Sequence, residues 1–101
     1  MTADRPKKLT EAKARAITDT TQLVKADDWS TSHAWNVVAE DGTVLVVVKP
    51  SYGGASRSGR DGWKYHLAAL GPSGGREKWS TRQAAAEQGL AAWIRWVTAA
   101  R

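Results

Sequence analysis

The chain of 101 residues contains no cysteine. That excludes disulfides, thiolate metal sites and cysteine nucleophiles, and it fits a reducing cytoplasm, the location expected here. Phenylalanine is also absent, so six Trp and two Tyr supply all the aromatic surface. Long apolar runs are missing as well. The longest, Val44 to Val48, is far too short to span a bilayer, and no apolar stretch follows the charged segment Met1 to Thr10 as a signal peptide would require. Acidic residues are outnumbered by 10 to 15, leaving a net charge of +5. A surplus of that sign favours polyanionic partners.

Catalytic patterns are lacking too. The two histidines, His33 and His66, are far apart, and no HExxH, GxSxG or paired-carboxylate arrangement occurs. The expectation is a protein that is not an enzyme and carries no cofactor. Asp27-Asp28 has no neighbouring His, Asp or Glu cluster, so it reads as a solvated turn and no metal site is expected.

What the chain does have centres on residues 35 to 70. Trp35 to Glu40 and Thr43 to Lys49 are β-rich runs separated by Asp41-Gly42, the strongest short-range hairpin signal, because a type I′ turn needs φ > 0 at both central residues. That turn pairs Glu40 with Thr43, Ala39 with Val44, Val37 with Val46 and Trp35 with Val48. Opposed residues share a face. One face then carries Trp35, Val37, Ala39, Val44, Val46 and Val48. The other carries Asn36, Val38, Glu40, Thr43, Leu45, Val47 and Lys49. Trp63 to Leu70 reads as a third strand, adding Trp63, Tyr65, Leu67 and Ala69 to the apolar face and Lys64 and His66 to the mixed one.

The flanks complete the pattern. Residues 1–9 form a basic arm with Arg5, Lys7 and Lys8, and residues 10–101 form a single domain. Thr10 caps a helix expected over residues 11–25, bent or divided near Asp19, with Ala12, Ala16, Ile17, Leu23 and Val24 as its stripe. Residues 27–32 read as a turn-rich connection. Ser80 and Gln83 match a capping box with Trp79 as a staple onto Ala84, opening a helix that runs to about Ala99. Its buried stripe is Ala86, Leu90, Trp93, Ile94 and Val97, with Trp96 partly exposed and Gly89 where the backbone approaches the sheet. The expected fold is α+β in the order α-β-β-β-α, a three-stranded antiparallel sheet with the last helix packed on one face.

Between strands two and three lies Pro50 to Gly62, with four Gly, three Ser, Tyr52, Arg57 and Arg60. It lacks the Gly-Lys-Ser/Thr ending of a P-loop. Loops longer than about 12 residues in compact domains are usually functional or disordered. Lys49, Arg57, Arg60 and Lys64 gather around this loop, and Arg76, Lys78 and Arg82 around the start of the last helix, itself an anion-binding terminus. Tyr52 or Trp63 could stack on bases, and His66 shares the mixed face. Phosphate neutralisation by Lys and Arg is the chemistry this set supports, so the expected partner is nucleic acid, DNA ahead of RNA.

The order helix, three strands, helix resembles the double-stranded-RNA-binding domain, and Lys78, Ser80, Thr81 and Arg82 are similar to the basic helix start with which that family grips phosphates. The family's Lys-Lys run is absent here. Residues 35 to 99 are also similar to AP2-type and integrase arm-binding domains, which insert a three-stranded sheet into the major groove. That resemblance implies Asn36, Lys49, Lys64 and His66 as readers. The rival reading is a phage or mobile-element accessory protein that binds a host protein through the apolar strip Val38, Leu45 and Val47.

Overall fold

The computed structural model describes residues 9–52, 60–71 and 78–99, apart from the side chains of Tyr52, Arg60 and Asp61. The elements are α1 (Glu11–Thr18), β1 (Gln22–Lys25), α2 (Trp29–Ser32), β2 (Trp35–Val38), β3 (Val44–Tyr52), β4 (Arg60–Leu67) and α3 (Arg82–Thr98). The strands form one antiparallel sheet in the order β1-β2-β3-β4. The α+β class with a C-terminal helix on the sheet holds. The sheet has four strands rather than three, and a short third helix lies between β1 and β2.

The extra strand comes from the stretch expected to be helical over residues 11–25. Thr10 does cap α1, its Oγ1 accepting from the Lys13 N–H at 3.2 Å. The helix then stops at Thr18. Hydroxyls of Thr18, Thr20 and Thr21 donate to the carbonyls of Arg15, Ile17 and Thr18 at 2.9, 2.7 and 2.7 Å, giving the last turn partners other than a continuing helix. Leu23 and Val24 then enter β1, opposite Val37 and Asn36. The residue α1 buries is Ala14; Ala12 and Ala16 are exposed. Residues 29–32 of the expected connection form the single turn α2, closed by His33 in the left-handed conformation.

In the hairpin, Trp35↔Val48 and Val37↔Val46 pair as the sequence implies, but Val38, not Ala39, faces Val44. The turn is not type I′. Gly42 N–H donates to Ala39 carbonyl at 2.9 Å and Ala39 N–H to Thr43 carbonyl at 2.8 Å, so the loop holds three residues, Glu40 to Gly42. Gly42 has φ 91 and Asp41 is not in the positive-φ region. The irregularity between Val37 and Val38 leaves Leu45 as an extra residue in β3. It exchanges two expected positions. Leu45 is buried in the main core cluster, whereas Val44, sharing the face of Val38, is only half-buried.

A Cβ added at Gly42 meets nothing within 4 Å, so only its backbone angle opposes a side chain. Gly42→Val is therefore expected to cost about 1–2 kcal/mol in urea unfolding, and Gly42→Asn distinctly less. Equal stability of both variants and the wild type would contradict this turn.

β4 begins at Arg60 and ends at Leu67, three residues earlier at each end than expected, because the β3 ladder continues past Lys49. Pro50 pairs with Trp63, Ser51 with Gly62 and Tyr52 with Arg60. Pro50 is tolerated because β3 there lies beyond its last pair with β2, as an edge strand. Pro50, Ser51, Tyr52 and Arg60 to Gly62 thus belong to strands, while Arg57 lies outside the described residues. Ala69 and Leu70 fall in a turn, and Leu70 is exposed.

α3 is capped by Thr81, whose Oγ1 accepts from Ala84 N–H at 3.0 Å; the expected cap was Ser80. Trp79 is held elsewhere. Its backbone exchanges hydrogen bonds with Trp63 at 2.8 and 2.9 Å, and its ring tilts against Tyr65 at 5.2 Å. The helix buries Ala85, Ala86, Gly89, Trp93 and Val97 against the sheet, while Leu90 and Ile94 pack at the margin. Gly89 sits at the closest approach: a Cβ there would lie 2.5 Å from Val46 Cγ1 and 3.2 Å from the Tyr65 ring. α1 packs beside α3, and Leu9 N–H donates to Val97 carbonyl at 2.8 Å. No helix among the described residues is long and apolar enough to cross a membrane.

Candidate nucleic-acid interface

Strand register divides the site residues between two sides. The side bearing Val37, Val46, Val48, Tyr65 and Leu67 receives α3. The opposite side carries no packed helix among the described residues. Across it runs the row Val24, Asn36, Val47 and His66, and beside that row Lys49 stands directly opposite Lys64. Lys49 is exposed; Asn36, Lys64 and His66 are half-buried. The expected grouping of Asn36, Lys49, Lys64 and His66 on one face is therefore present.

Like charges directly opposed across two strands are destabilising. The charge of Lys49 is felt next door. Partial burial, and secondly the positive charge of Lys49, hold His66 below the usual imidazole range. A lowered native pKa means that the folded state binds fewer protons than the unfolded state as pH falls past the ordinary imidazole value. The stability contributed by neutral His66 is complete above that value and is lost as pH falls through the native pKa. Melting of the wild type between pH 7.5 and pH 5 should accordingly drop more than melting of His66→Gln. Parallel curves would show that His66 does not titrate differently on folding.

Lys78 is exposed beside β4, where a Cβ on Gly62 would lie 3.3 Å from its own Cβ. It extends the basic strand edge past Lys64. Tyr52 and Arg60 pair at the far end of the β3–β4 ladder, though their side chains are not described, and Arg57 and Arg76 lie outside the described residues.

Arg82 belongs to another assembly. Its guanidinium carbon lies 3.9 Å from the centre of the Trp35 ring, on the side that packs against α3. Lys25 Nζ stands 4.1 Å from the centre of Trp29 and 6.0 Å from that of Trp35. The Trp29 ring meets Trp35 and His33 edge-on at 6.3 and 5.2 Å, and its indole nitrogen is buried without a hydrogen-bond partner among the described residues. Sequence reasoning missed this cluster because Lys25 meets Trp35 only through the β1–β2 pairing and Arg82 reaches Trp35 only through the packing of α3 on the sheet. The cluster places Arg82 apart from the Lys49–Lys64 face and gives its guanidinium a stacking contact.

Among the described residues no group of three His, Asp or Glu side chains could hold a metal ion. The chain matches no known protein family, no curated protein and no solved structure.

Proposed function

We propose that this protein binds nucleic acid, duplex DNA in preference to RNA, with the uncovered face of its sheet. The observation that carries the reading is the Lys49–Lys64 pair on a face that no helix among the described residues covers. Two ammonium groups on directly opposed residues of one face can neutralise neighbouring phosphates together. Asn36 and His66, one row away, can donate to or accept from base edges or phosphates. Lys78 prolongs the basic track, and Arg57, Arg60 and Arg76 follow it in sequence at either end. The net charge of +5 supports the same class of partner.

The test is a gel-shift panel with duplex DNA, single-stranded DNA and duplex RNA at low and high salt. Tight, salt-sensitive binding to duplex DNA supports the reading; a stronger shift with duplex RNA moves the preference; failure to shift any of the three overturns it. A second reading has its own observation. Val38, Val44 and Val47 form a half-buried apolar strip on this face, and Val24 at its edge is 46% exposed. An accessory protein of a phage or mobile element could seat a host protein there, and absence of any gel shift would favour that reading.

A further inference from the structure

On the opposite side of the molecule an open groove of about 510 Å³ lies between α1, the β2–β3 hairpin and α3. Its floor is apolar: Ile17, Ala39, Leu45 and Trp93. Its rim at the hairpin tip carries Glu40 and Asp41. The walls are tied together, because Glu40 N–H donates to Thr20 Oγ1 at 3.2 Å, and the Thr20 hydroxyl itself donates to Ile17 carbonyl at 2.7 Å. Asp41 is held ionised, its carboxylate accepting from Thr43 N–H at 2.9 Å and its pKa lowered chiefly by that bond.

We infer that this groove docks a basic amphipathic segment of a protein partner, with apolar side chains on the Leu45–Trp93 floor and Lys or Arg against Glu40 and Asp41. Charge selects this occupant. In a chain of net charge +5 the groove rim carries Glu40 and Asp41, with the C-terminal end of α1 beside them at Ile17 and Thr20. The cations of α1 do little to reverse this, since Arg15 is paired with Glu11 at 2.8 Å and Lys13 stands about two turns before Thr20. A polyanion would be repelled here, which separates the groove from the basic sheet face. Shape selects a segment over a small molecule. Small-ligand sites enclose roughly 70–90% of their ligand, whereas this one is flanked by the exposed residues Ala16, Glu40, Asp41 and Thr43.

The probe is a synthetic amphipathic peptide of leucine and lysine, about four helical turns long, titrated into the nitrogen-15-labelled protein and followed by amide chemical shifts. The expected result is a set of shifts confined to Ile17, Thr20, Ala39, Leu45, Trp93 and their neighbours. Glu40→Lys combined with Asp41→Asn, which keeps an acceptor for Thr43, should weaken binding on the order of tenfold. Ala16→Trp, at an exposed wall position, should fill the groove and abolish binding while the dispersion of the remaining spectrum shows an intact fold. A leucine–glutamate peptide should not bind. Shifts centred on Lys49, Lys64 and His66, equal binding of the glutamate peptide, or no binding of the lysine peptide would each overturn the proposal. None of these results depends on the nucleic-acid reading, because no variant touches the basic face.

Discussion

Trp93→Ala is expected to destabilise the protein by about 3–5 kcal/mol, the range for truncating a large buried aromatic side chain. Trp93 is 7% exposed and stands in the central cluster with Val37, Val46, Val48 and Val97. Removing its indole leaves a void that the fully buried valines cannot reach across, since their branched side chains have little rotamer freedom. Small domains have about 5–15 kcal/mol in total, so about a fifth or more of the stability is at stake. Leu90→Ala, by contrast, should lose no more than about 2 kcal/mol, the low end for such truncations, because Leu90 packs at the margin of the cluster. Urea unfolding followed by far-ultraviolet circular dichroism measures both. A reversed order of the two variants would place the core one helical turn away from Trp93.

Charge reversal on the sheet face should produce the largest change in binding. Lys49→Glu with Lys64→Glu is expected to remove duplex-DNA binding at physiological salt. The neutral versions, Lys49→Ala and Lys64→Ala, should each lower the slope of log K against log salt by about 0.9 if each lysine meets one phosphate. Arg57→Ala with Arg60→Ala should weaken binding in the same salt-dependent way. Stability supplies the control. Lys49→Glu alone turns a like-charge cross-strand pair into an opposite-charge pair and should gain about 0.2–1 kcal/mol. In that single variant, weakened binding with raised stability cannot come from unfolding. Unchanged binding in the double reversal would remove this face from the interface.

The central hairpin was legible because Asp41-Gly42 and the alternation around it depend on local chemistry alone. The pairs Trp35↔Val48 and Val37↔Val46 and the face shared by Lys49, Lys64 and His66 followed from it. The exchange of Val44 and Leu45 was not legible, since one extra residue in a strand leaves no mark when both candidates are apolar. β1 was hidden by coincidence: Leu23 and Val24 fall at helical spacing from Ala16 and Ile17, and only pairing with Val37 and Asn36 makes them a strand. Arg82 was legible as part of a basic helix start, but its stacking on Trp35 was not, because that contact exists only once α3 packs on the sheet. The groove depends on a hydrogen bond between Thr20 and Glu40, a contact between segments that the sequence does not relate.

The close passage of α3 over β3 at Gly89 also bears on how far this sequence could drift. Surface positions such as Gln83 and Glu87 can be exchanged freely, and the valines of the core can trade volume among themselves. Gly89 has no such latitude, because even a methyl group would press on Val46 and Tyr65 together. Distant kin of this chain should therefore be recognisable less by overall identity than by one spacing: a glycine, then a large aromatic four residues later on the same helical face, downstream of a short-looped hairpin.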